Sequence, residues 1–142
     1  MAKIKASVSN RREAHEVHLQ TNDHIHAIEI PPKAEGFGSS ASGGELLFLA
    51  LATCYCNDIY REAGKRGIKV ERVEVEVEGE GDFEREGGPA TNVTYHARVK
   101  AGASREDILD LMRHTDQVAE IQNTLRSLTP VSLASCEVIE QG

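Results

Sequence analysis

Ile4, Ala6 and Val8 alternate with Lys3, Lys5 and Ser7, the period-two signature of a strand with one apolar face. A polar turn at Ser9-Asn10-Arg11-Arg12 leads to a second short strand around Glu16 to Gln20. Thr21-Asn22-Asp23 turns again, and a third strand runs from His24 to Ile30. It ends at Pro31-Pro32, which cannot continue a ladder. The pattern predicts an antiparallel meander. Residues 33–44, rich in Gly and Ser, then predict a flexible connection able to move over a cleft.

The period changes at Ser42. Ser42-x-x-Glu45 is a capping box, followed by the apolar run Leu46 to Cys56. The predicted helix continues to Gly64 or Gly67, where glycine suits the C-terminal cap and Lys65 and Arg66 suit the negative dipole end. Alternation resumes with Val73, Val75 and Val77 against Glu74, Glu76 and Glu78. An acidic tip, Gly79 to Pro89, lacks the oxygen-ligand spacing of a calcium loop and reads as a solvated hairpin connection. The returning strand places Val93, Tyr95, Ala97 and Val99 on one face, with His96, Arg98 and Lys100 opposite the glutamates. A second cap, Ser104-x-x-Asp107, opens a helix to about Val118. It is expected to continue, with or without a break, through Ile121, Leu125 and Leu128 until Pro130. Val131 to Ile139 is expected as a last strand. The fold class is α+β, a single domain over residues 1–142 with mostly antiparallel sheet.

Composition narrows the function. With 142 residues and 39% apolar content the chain can bury a core. A net charge of −7 and only six Phe and Tyr argue against a nucleic-acid surface. The longest apolar run is too short to span a bilayer, and no signal-peptide run opens the sequence. Three cysteines do not make a disulfide framework, so a soluble cytoplasmic protein is expected. Gly36-x-Gly38 lacks the further residues of a phosphate loop. His24-x-His26 and its neighbours His15 and His18 follow no zinc spacing, and Cys54 and Cys56 diverge by about 200° on a helix. No metal or cofactor is expected. His114 is expected to be a surface histidine.

Cys54 is the residue of chemical interest. A thiol on a core helix either packs as a small hydrophobe or acts as a redox nucleophile where charge stabilises its thiolate. Glu45-Leu-Leu-x-x-Ala-Leu-x-x-Cys54, followed by Gly67-Ile-Lys-Val70, resembles the osmotically inducible protein C / organic hydroperoxide resistance (OsmC/Ohr) family. Val8-Ser-Asn-Arg11, Asn123-Thr-Leu-Arg126 and Pro130-Val-Ser-Leu133 extend the resemblance over nearly the whole chain.

The resemblance implies an OsmC-like fold, with sheets wrapped around central helices in an intertwined homodimer and a thiol site at the subunit interface. There a cysteine attacks an organic hydroperoxide and becomes a sulfenic acid, an arginine and a glutamate polarise the site, and a second cysteine resolves the product. Cys54 matches the attacking thiol, and Arg11, with Arg12 beside it, matches the arginine. Glu45 stands one residue after the family's glutamate position, which here is Gly44. Its role is either that glutamate or the helix cap alone. Glu45 and Cys54 lie nine residues apart, about 13 Å along a helix and on opposite sides, so a site holding both draws on two chains.

The second cysteine aligns with Ala119, so a sulfenate at Cys54 needs an external thiol reductant. The expected function is thiol-dependent reduction of organic hydroperoxides. The alternative is a non-catalytic module holding an apolar small molecule in the dimer cleft. A Cys54 thiol pKa below the ordinary value is expected, because Arg11 or Arg12 approaches it.

Overall fold

The computed structural model describes residues 1–81, 85–139 and 141. Its contacts divide the chain into two compact units, Met1–Phe48 and Leu49–Gly142.

The first unit is the meander. Strand β1 (Ile4–Arg11), β2 (Ala14–Thr21) and β3 (His24–Ala27) form a three-stranded antiparallel sheet in sequence order. The first turn is shorter and later than the sequence pattern predicts. Arg11 pairs with Ala14, leaving Arg12-Glu13 as a two-residue connection with Glu13 at φ 56°. The right-handed strand twist favours such left-handed turn residues, which is why the ladder runs through Ser9 and Asn10. Strand β3 stops at Ala27, short of the expected Ile30.

The connection over residues 33–44 is held by hydrogen bonds. Pro32 and Ser39 form a bridge, and Ser40 N–H donates to the Pro31 carbonyl at 2.9 Å. Gly36 and Gly38 dock this loop on the first turn. Glu13 N–H donates to the Gly36 carbonyl (2.7 Å) and Gly38 N–H to Asn10 Oδ1 (3.0 Å). Both glycines have positive φ, 81° and 105°, which side chains rarely tolerate. These contacts tether the connection to Pro31 and to the first turn.

Helix α1 (Gly43–Lys65) starts where the capping box predicts: Glu45 N–H donates to Ser42 Oγ (3.1 Å), and Ser42 N–H to Glu45 Oε1 (2.9 Å). It ends in Gly67 at φ 66°, with Ile68 N–H closing on the Ala63 carbonyl at 3.0 Å. Strands β4 (Val70–Gly81) and β5 (Ala90–Ala101) pair antiparallel, with Glu74 opposite Arg98 and Glu76 opposite His96. Residues 82–84 of the acidic tip lie outside the described residues.

Helix α2 (Arg105–Val118) begins at its Ser104 cap, and α3 (Glu120–Arg126) follows a break at Ala119, whose ψ of 111° is extended. Helix α3 stops before the predicted end at Pro130, because Ser127 caps it and Leu128 turns left-handed at φ 56°. The expected strand Val131–Ile139 does not form: these residues have no regular structure and are exposed. A strand needs a partner to satisfy its backbone, and among the described residues no strand pairs with this segment.

The core lies in the second unit. Tyr55, Ile59 and Ala63 occupy one stripe of α1 at helical spacing and meet Leu111 of α2. The half-buried Val73, Val75, Tyr95, Ala97 and Val99 pack against this cluster, so the alternating face of β4–β5 is the sheet side of the core. Tyr55 meets Tyr95 edge to face at 5.1 Å and donates its hydroxyl proton to the Met112 carbonyl at 2.8 Å.

Candidate functional site

The helical period that builds the core stripe places a second, polar stripe beside it. Cys54, Asp58 and Arg61 fall at i, i+4 and i+7 of α1, one residue ahead of Tyr55, Ile59 and Glu62. Cys54 is half-buried, and its thiol donates to Asp58 Oδ2 at 3.6 Å. The backbone N–H of Ile121, brought near by the short helix that follows the Ala119 break, acts on the thiol electrostatically. Asp58 is 6% exposed, and Arg61 reaches its Oδ1 at 3.2 Å. The same guanidinium grips both oxygens of Glu120 from α3, at 3.2 and 3.1 Å.

Arg61 extends this group inward. Its Nε donates to Glu62 Oε2 at 2.8 Å, and Glu62, 4% exposed, also receives Lys65 (3.0 Å) and His114 Nε2 (3.0 Å). His114 is therefore half-buried and engaged with a buried carboxylate, contrary to the surface role expected for it. Beside the network, buried Gln122 donates to the Leu51 carbonyl at 3.0 Å, one turn before Cys54, and its Oε1 has no partner.

Electrostatics follow from this placement. Burial pushes the Cys54 thiol pKa up, and the nearby Asp58 and Glu120 carboxylates add to it, while the Ile121 N–H works the other way. Asp58 is likewise raised, first by burial and then by its hydrogen bond with Glu120. Glu120 is lowered, chiefly by Arg61. Arg61, and then Lys65, hold Glu62 down to about 2. The expected lowering of the Cys54 thiol is thus not what its neighbours within the second unit produce. The carboxylates surrounding it oppose the thiolate.

The three sequence-predicted residues have different surroundings. Arg11 closes β1 with an exposed side chain. Among the described residues neither it nor Arg12 makes a side-chain hydrogen bond or ion pair. Glu45 is engaged in its cap, where the Ser42 N–H lowers its pKa. Cys54 has Asp58 as its hydrogen-bond partner. Cys56 lies on another side of α1, lining a recess of about 250 Å³ with Ala52, Asn57 and Val75. Cys136 is exposed in the irregular C-terminal segment. Ala119 is fully buried at the α2–α3 break.

Asp58, Arg61 and Glu120 are site residues that the sequence reading passed over. The signal was available for two of them, since Cys-x-x-x-Asp-x-x-Arg is a one-face helical pattern. Nothing local announces Glu120, which comes from a separate helix. Cys54, Asp58 and Glu120 offer ligand atoms within 4.8 Å of one another. Arg61 already balances both carboxylates, so a divalent ion would have to displace a guanidinium held by four carboxylate oxygens.

The arrangement defines an α+β protein that presents a half-buried thiol from its central helix. The model of the OsmC-like protein family matches residues 36–134, and the chain belongs to that family. Solved structures with the same fold include an OsmC-like protein from Mycoplasma pneumoniae (18% identity, TM-score 0.61, covering 91% of this chain and 89% of that one). An OsmC-like protein of unknown function from Vibrio cholerae matches at 15% identity and TM-score 0.62, covering 87% and 94%. An organic hydroperoxide resistance protein from Legionella pneumophila matches at 21% identity and TM-score 0.54, covering 89% of each chain. No curated protein matches the chain. Among the described residues no helix is long and apolar enough to cross a membrane.

Proposed function

We propose that this chain, a single OsmC-like domain, is a cytoplasmic one-cysteine thiol peroxidase. It reduces organic hydroperoxides through Cys54 and is returned to the thiol by an external thiol reductant. The observation that carries the reading is the polar setting of the sulfur. A cysteine serving only as packing would have apolar neighbours, whereas Cys54 has a carboxylate at 3.6 Å and a guanidinium behind it. With Ala119 at the position of the family's resolving cysteine, the sulfenic acid waits for a thiol from solution.

The working form in this reading is a homodimer in which Arg11 and Glu45 complete the site from a second copy. Two features support it. Arg11 has an exposed guanidinium at the end of β1, and the apolar positions of that strand are exposed as well, Ile4 by 73% and Val8 by 66%. An added cation would offset the carboxylates that add to burial in raising the thiol pKa.

The raised thiol pKa favours a second reading, the non-catalytic module for an apolar small molecule. A cleft of about 710 Å³ lined by Tyr55, Val93, Tyr95, Leu109 and Met112 is compatible with such a ligand. Intact mass after one equivalent of tert-butyl hydroperoxide, with and without dimedone, separates the two. The peroxidase reading expects a dimedone adduct that disappears in Cys54→Ser. An unchanged mass rejects it in favour of the binding module.

A further inference from the structure

A protonated thiol is a poor nucleophile, and an alkoxide is a poor leaving group at neutral pH. Any peroxide chemistry at Cys54 therefore needs a group that removes one proton and supplies it again. Asp58 is in contact with the reacting sulfur, on the same face of α1 one turn later. Its neighbour Glu120 offers a carboxylate oxygen within 4.8 Å, and the two carboxylates share the Arg61 guanidinium. Arg61 binds both, leaving the pair close to electrical balance once a proton is taken up.

We propose that Asp58, paired with Glu120 and clamped by Arg61, is the proton carrier for the Cys54 reaction. The inference rests on the peroxidase reading and adds catalytic and positioning residues to it. Asp58 accepts the thiol proton as the sulfur approaches the terminal oxygen of the hydroperoxide. The S–O bond forms, the O–O bond breaks, and its electron pair leaves on the alkoxide oxygen. Asp58 returns the proton there, giving an alcohol and a sulfenic acid at Cys54. Sulfur is oxidised by two electrons, the peroxide is reduced by two, and no other reactant is required. Glu120 and Arg61 are positioning residues that keep the Asp58 carboxylate aimed at sulfur. The upward shift of the Asp58 pKa suits a base that must hold a proton transiently.

A split between two rates on Cys54 tests the assignment. Iodoacetamide alkylation at pH 7 reports thiolate population alone. Sulfenate formation with tert-butyl hydroperoxide, read by dimedone trapping and intact mass, reports the complete reaction. In Asp58→Asn, alkylation is expected to hold or accelerate, because a carboxylate no longer opposes the thiolate. Oxidation is expected to slow at least about tenfold. Asp58→Glu should recover part of that loss. Circular dichroism checks that each variant is folded; if Asp58→Asn is not, the exposed Glu120→Gln carries the test with the same expected split.

Oxidation of the Asn variant (or of the Gln variant in its place) at the wild-type rate overturns the proton carrier and leaves the peroxidase reading standing. A parallel fall in both rates assigns Asp58 a structural role only and also overturns it. A wild-type protein that is not oxidised at all removes both the peroxidase reading and this one.

Discussion

Strands β1 and β5 carry the same alternation of apolar and polar residues, and the protein treats them oppositely. All eight positions of β1 are exposed, including Ile4 and Val8. On β5, Tyr95, Ala97 and Val99 are half-buried against Ile59 and Leu111. Alternation specifies that a strand has an apolar face, while the covering of that face depends on what packs there. The second unit supplies its own cover, two helices over a two-stranded sheet. Within the first unit nothing covers Ile4 or Val8, and the apolar residues of the irregular C-terminal segment, Val131, Leu133, Val138 and Ile139, are equally bare. Exposed apolar surface of that extent is what a subunit interface removes from water.

The sharpest way to break this comparison is truncation on each side of it. Ile59→Ala removes a side chain with no solvent exposure at the centre of the α1–α2 core. It should cost about 2–5 kcal/mol in urea unfolding, through lost transfer energy and the cavity left behind. Val8→Ser should change unfolding of the monomer by less than about 0.5 kcal/mol, and should weaken self-association seen by sedimentation. A large unfolding penalty at Val8 with no change in association would mean that its apolar face is covered within one chain.

The same contrast sets what could be read from sequence. Capping boxes at Ser42 and Ser104, the glycine at 67 and the long alternation of β4 and β5 are local signals, and their elements form where predicted. The turn at Arg12-Glu13 was placed too early because strand twist, which composition does not encode, selects the turn. The C-terminal segment has strand composition, but among the described residues no strand pairs with it, and pairing is not encoded in a local pattern. For the site, Cys54 was legible from its place on the apolar helix. Asp58 and Arg61 share its face by simple helical spacing, yet their significance appears only when α3 delivers Glu120 and the Ile121 N–H. A break at Ala119, where the sequence pattern leaves the helix free to continue or to stop, makes that delivery through an extended ψ of 111°.

Two lowered glutamates sharpen the comparison further. Glu45 is an exposed cap, held down by the Ser42 N–H, whereas Glu62 is buried among Arg61, Lys65 and His114 and held at about 2. A carboxyl whose folded pKa lies below its ordinary 4.5 contributes stability that is complete above that value. It is lost as pH falls toward the folded pKa. Glu62→Gln should therefore be less stable than wild type at pH 7, and the gap should close between about pH 4.5 and 2. Urea midpoints measured at pH 7, 4 and 2.5 decide it. Parallel curves for the two proteins would mean that the buried network does not govern acid unfolding.

The smallest effect belongs to the wet face of β4–β5. Arg98 reaches Glu74 at 3.0 Å across the strands, as the opposed charges of the sequence suggest, but its side chain is 85% exposed. Water screens such a pair, and ordering two long side chains costs entropy, so Arg98→Ala should shift unfolding by no more than about 0.5 kcal/mol. Added salt should shrink even that difference. Arg61 resembles Arg98 in composition only, because its partners Asp58 and Glu62 are buried and lose their counter-ion when it is removed. Comparing Arg98→Ala with Arg61→Ala in urea at low and at 1 M salt separates the two kinds of ion pair. A loss at Arg98 that equals the loss at Arg61 and survives salt would mean that strand pairing itself, not the helix stripe behind Cys54, carries the charge-dependent stability of this unit.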